Sequence, residues 1–127
     1  MTRKGGEKVA YNGDPNEDKQ RVIQEYVPGK QVTLLHVIAQ PVDDVYDKLG
    51  LPHAGAIGIL TLTPGETAII AGDIATKAGE VRIGFLDRFT GALTITGDVA
   101  SVTASLKAVN EYLEEFLGYS PAPLTKS

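Results

Sequence analysis

The chain of 127 residues contains no cysteine. Disulfide bonds, thiolate metal sites and a cysteine nucleophile are therefore excluded, and the composition fits a reducing compartment, with the cytosol as the default expectation. A chain of this length is one domain in size and is long enough to bury a core without cross-links. We therefore expect a cytoplasmic globular domain that hydrophobic packing stabilises.

Long apolar runs and strong charge are also missing. Hydrophobic residues make up 43% of the chain, but no run approaches the roughly 20 residues that cross a bilayer. The start, Met-Thr-Arg-Lys-Gly-Gly, lacks the apolar region of a signal peptide. A net charge of -4 without a basic cluster offers nucleic acid little electrostatic attraction. We predict neither a membrane nor a nucleic acid as partner.

Groupings of catalytic residues are scarce. Neither His36 nor His53 has a second histidine at metal-ligand spacing, so each is better interpreted as packed or hydrogen-bonded than as a zinc ligand. The adjacent acidic pairs at 43–44 and 114–115 point in different directions on a helix, which favours solvated faces over an acid-base pair. No nucleophile-elbow or phosphate-loop pattern is present. We expect no enzymatic activity, no metal and no cofactor.

The first part of the chain is polar. Residues 1–20 are rich in Gly, Asn, Asp and Lys, and burial cannot offset the entropy of ordering them, so we predict a flexible tail. A β-prone run over 21–27 follows and stops at the turn pair Pro28-Gly29. This predicted strand has no hairpin partner beside it in the sequence.

Strand and helix patterns then alternate. Residues 31–39 are β-branched and mostly apolar, which is typical of a strand buried on at least one face. Pro41 opens a predicted short helix over 42–49, and Gly50 closes it. The next strand is predicted over 56–62.

A long helix is predicted next. Thr63-Pro64-Gly65-Glu66 matches a capping box with proline at the first helical position, and the helix is expected to run from there to about Ala78. One side of this helix carries small residues, which predicts close packing either within the chain or across a subunit boundary: Ala68, Ala71, Gly72, Ala75 and Ala78.

Two strands and a second long helix complete the pattern. The strands are predicted over 80–89 and 92–96, with a hairpin turn at Thr90-Gly91. Asp98 is the predicted N-cap of the helix, which ends at Gly118. Its apolar residues recur at steps of three and four, which predicts an amphipathic core helix: Val99, Val102, Leu106, Val109, Leu113 and Phe116.

The remaining residues 119–127 contain Pro121 and Pro123, and we predict a loose C-terminal tail. The order of elements is strand, helix, strand, helix, strand, strand, helix. This order predicts the α+β class, with an antiparallel or mixed sheet and helices on one face.

The most specific segments are Gln24-Glu25-Tyr26-Val27-Pro28-Gly29-Lys30-Gln31-Val32-Thr33-Leu34, Ala56-Ile57-Gly58-Ile59, Thr63-Pro64-Gly65-Glu66 and Ile83-Gly84-Phe85-Leu86-Asp87-Arg88-Phe89-Thr90-Gly91-Ala92. With them the chain, over 21–118, resembles a bacterial microcompartment shell protein of the circularly permuted, hexamer-forming type of ethanolamine- and propanediol-utilisation compartments. In the unpermuted family the strand and short helix that resemble 31–50 end the chain, whereas here they come first. The resemblance thus implies a permuted shell domain over 31–118.

The resemblance implies cyclic hexamers that tile edge to edge around enzymes. It places Lys77, with Asp73 one turn before it, on the tile edge; from spacing alone, a lysine in a last turn also simply complements the helix dipole. Many members carry an arginine on the same edge, where this chain has Gln40 in Ala39-Gln40-Pro41. Gln40 offers hydrogen bonds there without charge.

The resemblance also implies a central pore lined by the turn Thr90-Gly91. The run over 21–27 is expected to cap that pore, because six copies of a lone strand remove their edges by closing a small parallel barrel. The residues of this barrel strand are Val22, Ile23, Gln24, Glu25, Tyr26 and Val27. We therefore favour a closed structural tile over a transport pore.

Gly55 precedes the strand over 56–62. Such a glycine commonly serves a turn, and the alternative is a hinge that lets the hexamer bend away from sixfold symmetry. As a structural tile, the protein is expected to have copies of itself and other shell proteins as partners. Two other roles stay open. One is a gated conduit for small metabolites, and the other is an adaptor whose residues 1–20 dock lumen enzymes. The compartment type, whether ethanolamine, propanediol, choline or another, is also open.

Overall fold

The computed structural model describes residues 29–127. The predicted tail over 1–20 and the predicted barrel strand over 21–27 lie outside this part. Its five strands and three helices follow in the order β1 (Gln31–Ala39), α1 (Asp43–Leu49), β2 (Ala56–Thr63), α2 (Thr67–Ala78), β3 (Arg82–Asp87), β4 (Ala92–Gly97), α3 (Val99–Leu117) and β5 (Thr125–Lys126). None of the helices over 29–127 combines the length and apolar character that crossing a membrane requires.

The strands form one mixed sheet in the order β3-β4-β2-β1-β5. Neighbouring strands pair antiparallel except β1 and β5, which run parallel. α2 and α3 pack against each other and against the sheet. The α+β class with a mixed sheet is therefore confirmed. The main core lies where the sheet meets these two helices, and its side chains come from every strand but β3 and β5: Val32, Leu35, Val37, Ala56, Leu60, Leu62, Ala68, Ala71, Ala75, Leu93, Ile95, Val102, Leu106, Val109, Leu113 and Tyr119.

α3 forms as the sequence predicts. Asp98 is its N-cap, and the carboxylate accepts a hydrogen bond of 2.8 Å from the Ser101 N–H. Gly118 ends the helix with φ of 73°, a left-handed conformation that glycine adopts at little cost. Phe116, at the end of the apolar stripe, is 67% exposed. The rest of the stripe after Val99 is buried: Val102, Leu106, Val109 and Leu113.

The small residues of α2 pack within the chain. The Ser105 hydroxyl of α3 donates to the Ala75 carbonyl at 2.9 Å. A Cβ added to Gly72 would lie 3.0 Å from Leu86 of β3, so these neighbours approach the helix closely. Ala78 is exposed. Of the two alternatives, packing within the chain applies to the small residues that are buried, which are Ala68, Ala71, Gly72 and Ala75.

The predicted capping box at the start of α2 is wrong. Thr63 still belongs to β2, where it pairs with Gln31, and α2 begins at Thr67 with no side-chain cap. The first helical N–H groups are satisfied by a backbone turn instead, since Thr67 donates to Pro64 at 3.2 Å and Ala68 donates to Gly65 at 2.9 Å. Strand pairing extends too far for the Thr63 hydroxyl to reach the helix.

The expectation of a loose end over 119–127 is also wrong. These residues form a belt along β1, called the C-terminal belt below. β5 pairs with β1 at His36 and Val37, and the Ala39 N–H donates to Ser127 at 2.8 Å. The free edge of β1 carries N–H and C=O groups that need partners, and the belt supplies them. The prolines precede β5 and therefore do not interrupt its pairing.

Side chains fasten the belt as well. Tyr119 is buried, and its hydroxyl shares a hydrogen bond with the Thr67 hydroxyl of α2. The Asn110 amide of α3 donates to the Ala122 carbonyl at 2.9 Å and accepts from the Ala122 N–H at 3.2 Å. The belt is thus part of the domain.

Gly91 should tolerate no side chain. Its φ is +80°, and an added Cβ would lie 2.1 Å from the Leu62 carbonyl oxygen. We expect Gly91→Ala to lower the free energy of unfolding by at least about 3 kcal/mol. Gly50→Ala is the matched control, because Gly50 has φ of +69° with nothing within 4 Å, and should cost only about 1 kcal/mol. Denaturant unfolding at one protein concentration measures both, and equal losses would contradict the steric argument.

Asn110→Ala tests the C-terminal belt. We expect a loss of about 1–2 kcal/mol in the free energy of unfolding, because the Ala122 N–H and C=O lose their partner. Glu111→Ala, at the exposed neighbouring position, should change stability by less than about 0.5 kcal/mol. If Asn110→Ala leaves the free energy of unfolding unchanged, the belt is not fastened by this contact and the prediction of a loose end is favoured.

Candidate functional site

The end of α2 presents an exposed ion pair. Lys77 Nζ lies 2.8 Å from Asp73 Oδ2, and the two side chains are 75% and 59% exposed. The hydrogen bond to Asp73 and its charge raise the pKa of Lys77, with a smaller contribution from Tyr112 of α3. The lysine is therefore charged and faces solvent with a carboxylate beside it.

Gln40 lies just after β1, at another exposed position. Its φ is 50°, and its N–H donates to the Gly55 carbonyl at 2.8 Å. The backbone is thus fastened to the start of β2. Within residues 29–127, no hydrogen bond joins the Gln40 side chain to Lys77 or Asp73. The structure leaves the predicted edge residues accessible and does not pair Gln40 with the other two.

The β3–β4 loop over 88–91 contains the predicted pore residues. The Asp87 carboxylate accepts from the Phe89 N–H at 2.9 Å and from the Thr90 hydroxyl at 2.8 Å. The Phe89 N–H and then the Thr90 hydroxyl lower the pKa of Asp87. Gly91 closes the turn, and its carbonyl accepts from Leu62 at 2.9 Å. The loop is therefore rigidly shaped.

Sequence reasoning missed the residues that shape and project this loop. Asp87 organises it, and aspartate at the first position of a turn is the signal that would have indicated this role. Phe89 is 82% exposed, with the Arg88 guanidinium 5.0 Å from its ring centroid. The loop thus projects an aromatic ring beside Thr90.

Gly55 approaches another part of the backbone closely. A Cβ at this position would lie 3.1 Å from the Cα of Asp98 and 3.6 Å from the Gly97 carbonyl oxygen. Gly55 is not among the glycines with positive φ. Glycine is favoured here because neighbouring atoms leave little room for a side chain, and not because the backbone conformation demands it. The start of β2 therefore packs against the start of α3.

The two histidines are hydrogen-bonded, as predicted. His36 contacts the Thr125 hydroxyl at 2.6 Å and the Ser127 hydroxyl at 2.8 Å, and so fastens the C-terminal belt. His53 contacts Asp47 at 3.0 Å. Across residues 29–127 no group of histidine and acidic side chains has the geometry of a metal site.

Large apolar side chains are exposed on several surfaces of the subunit. All are at least 40% exposed, and they lie on β1, β3, the β3–β4 loop and all three helices or their caps. Single exposed apolar side chains are normal on a folded domain, and contiguous patches of them mark surfaces that another chain covers. These side chains are Leu34, Val42, Leu49, Ile69, Ile70, Ile83, Phe85, Phe89, Tyr112 and Phe116.

Comparisons with known proteins identify the family of the chain. The sequence model of the BMC domain matches residues 56–122. The bacterial microcompartment shell protein EutS of Escherichia coli (strain K12) is 58% identical over 110 residues, which cover 87% of this chain and 99% of that protein. The shell protein CutR of Streptococcus intermedius is 58% identical over 107 residues, which cover 84% of this chain and 92% of that protein.

A solved structure is similar too. The CutR flat hexamer, form 1, superimposes with a TM-score of 0.76 at 57% identity, over 84% of this chain and 99% of that chain. The family match covers more than half of the chain, and the relatives match nearly end to end. The chain therefore belongs to the BMC-domain family of bacterial microcompartment shell proteins.

Proposed function

We propose that this protein is a structural shell subunit, which forms cyclic hexamers that tile into the wall of a microcompartment in the cytoplasm. The observation that carries the proposal is the 57% identity to a chain solved as a flat hexamer. The exposed apolar side chains support it, because a ring gives each subunit two neighbours that cover them. The protein acts as a building unit and not as an enzyme.

We also propose that the order of elements is a circular permutation. The BMC domain match begins at Ala56, yet β1, which precedes it, pairs with β2 along its length. A moved segment keeps its core contacts when only a connection changes. The shell domain of the proposal accordingly includes 31–55 as well as the matched residues.

Edge contacts between hexamers are assigned to Lys77, Asp73 and Gln40. Lys77 supports this role because its charge is exposed at a helix end. Asp73 supports it by holding the Lys77 ammonium in an ion pair of 2.8 Å, and Gln40 adds uncharged hydrogen bonding. Other shell proteins with similar edges are the expected lateral partners.

The centre of the ring is assigned to Thr90 and Gly91. The rigid turn set by Asp87 supports this, because a pore rim must hold its shape without a neighbouring strand. Residues 22–27, outside the described part, are assigned to a small barrel that caps the pore. Gly55 is assigned as the position at which the subunit bends, and its place between the α1–β2 loop and the start of β2, against the start of α3, supports this assignment.

The hexamer is tested by native mass spectrometry of the purified protein. We expect a species of six times the 13.5 kDa mass of the chain, and rings in negative-stain images. A monomer that persists at high concentration would contradict the proposal.

Lys77→Ala is expected to abolish or strongly reduce extended sheets in negative-stain images while the hexamer mass stays unchanged. The matched control is Lys48→Ala, because Lys48 forms the same kind of exposed pair with Asp44, at 3.6 Å on α1. The control should assemble like the unmodified protein. If both variants tile equally well, Lys77 is not an edge residue.

A further inference from the structure

The loop between α1 and β2 is fastened to α1 by His53. Its Nε2 lies 3.0 Å from Asp47 Oδ1, and its Nδ1 lies 3.5 Å from Asp43 Oδ1. The ring stacks on Tyr46, with centroids 4.9 Å apart. Tyr46 is itself buried, and its hydroxyl donates to the Ala54 carbonyl at 2.6 Å. Successive residues of the loop are thus tied to one short helix.

The position of the two carboxylates determines which form of the ring fits. An ionised carboxylate only accepts hydrogen bonds, and a neutral imidazole has one N–H donor, whereas the imidazolium has two. Asp47 is hydrogen-bonded to one ring nitrogen at 3.0 Å, and Asp43 lies at ion-pair distance, 3.5 Å, from the other. Only the imidazolium carries an N–H and a positive charge toward both carboxylates. In the neutral ring, a nitrogen lone pair faces one of the carboxylates.

We propose that His53 is a proton-operated clamp. When doubly protonated, it bridges Asp43 and Asp47 and holds residues 51–55 on α1. When neutral, it keeps one of these contacts and releases the other, and the loop gains freedom.

The surrounding charges favour the closed clamp. The hydrogen bond to Asp47 raises the pKa of His53 above its ordinary value. Desolvation, the next largest effect, opposes this rise, and the charges of Asp43 and Asp47 each add a smaller increase. Lys48 pairs with Asp44 instead, and Asp98, next to Gly55 in space, accepts from Ser101. The clamp is therefore complete below the raised pKa and weakens as the pH rises through it.

The loop leads directly into Gly55. The Gly55 carbonyl accepts from Gln40 at 2.8 Å, and the residue packs against the start of α3. Residues 51–55 therefore connect the β1–α1 segment with the rest of the domain. A looser loop gives the connection at Gly55 more freedom. We infer that the hexamer then bends more easily, a step that rests on the proposed function.

Titration by NMR tests the protonation step. The chain has two histidines, so His53→Asn assigns the signal by removing it. We expect the pKa of His53 to lie above about 6.5 in the purified protein and to fall in Asp43→Asn and in Asp47→Asn. Asp44→Asn is the matched control, because Asp44 lies on the same helix and pairs with Lys48, and should shift it least. A pKa at or below the ordinary value, or equal effects of all three variants, would overturn the clamp.

Amide hydrogen exchange tests the mechanical step. Pro52 has no N–H, so residues 51 and 53–55 are followed. After correction for intrinsic rates, their amide exchange should be about two- to fivefold slower near pH 6 than near pH 8, a size that suits exposed ion pairs. In His53→Gln this difference should vanish. The same pH dependence in both proteins would overturn the proposal. Native mass spectrometry of the same samples reports ring formation separately, so a monomer would refute the proposed function and leave the clamp result standing.

Discussion

The ladder between β1 and β2 is the interaction on which the rest of the structure depends. It runs from the pair Gln31 and Thr63 to the pair Ala39 and Ala56, with one bulge near Thr33. Along it, a segment that lies outside the BMC domain match completes the sheet of that domain. Without this pairing, β2 would have an open edge and neither α1 nor Gln40 would have a fixed position. Backbone hydrogen bonds thus join the segment that precedes the match to the remainder of the domain.

The C-terminal belt covers the other edge of β1. A parallel pair with β5, hydroxyl groups around His36 and the Asn110 contact all serve this purpose. The belt also brings Ser120 next to Lys30, where the described residues begin, since the Ser120 N–H donates to the Lys30 carbonyl at 3.0 Å. The described part of the chain therefore begins at a position that is fastened to the C-terminal belt.

Close backbone approach explains the places where glycine is required. At Gly91 a carbonyl of β2 occupies the space of a side chain, and at Gly55 the backbone of the β4–α3 junction is close to it. Both contacts join β2 to segments that come later in the chain. The proposed pore loop, the proposed bend and the proposed clamp thus all act on the central strand. A change at one of these places therefore directly affects β2, the central strand of the sheet.

Patterns of local origin were readable from the sequence. The apolar stripe of α3, its Asp98 cap and its Gly118 end rest on interactions within a few residues, so they were predicted with correct bounds. The start of α2 and the fate of residues 119–127 were predicted wrongly, because both depend on partners distant in the chain: Gln31 pairs with Thr63, and β1 pairs with β5.

The same division holds for the candidate site. The sequence by itself determined the α+β order of elements, the two long helices and the resemblance to shell proteins, since periodicity, caps and motif segments are local. Only the tertiary structure decided that Asp87 shapes the β3–β4 loop, that the belt closes the sheet and that His53 meets two carboxylates. Those contacts depend on exact distances between backbone segments, which no spacing in a linear sequence specifies.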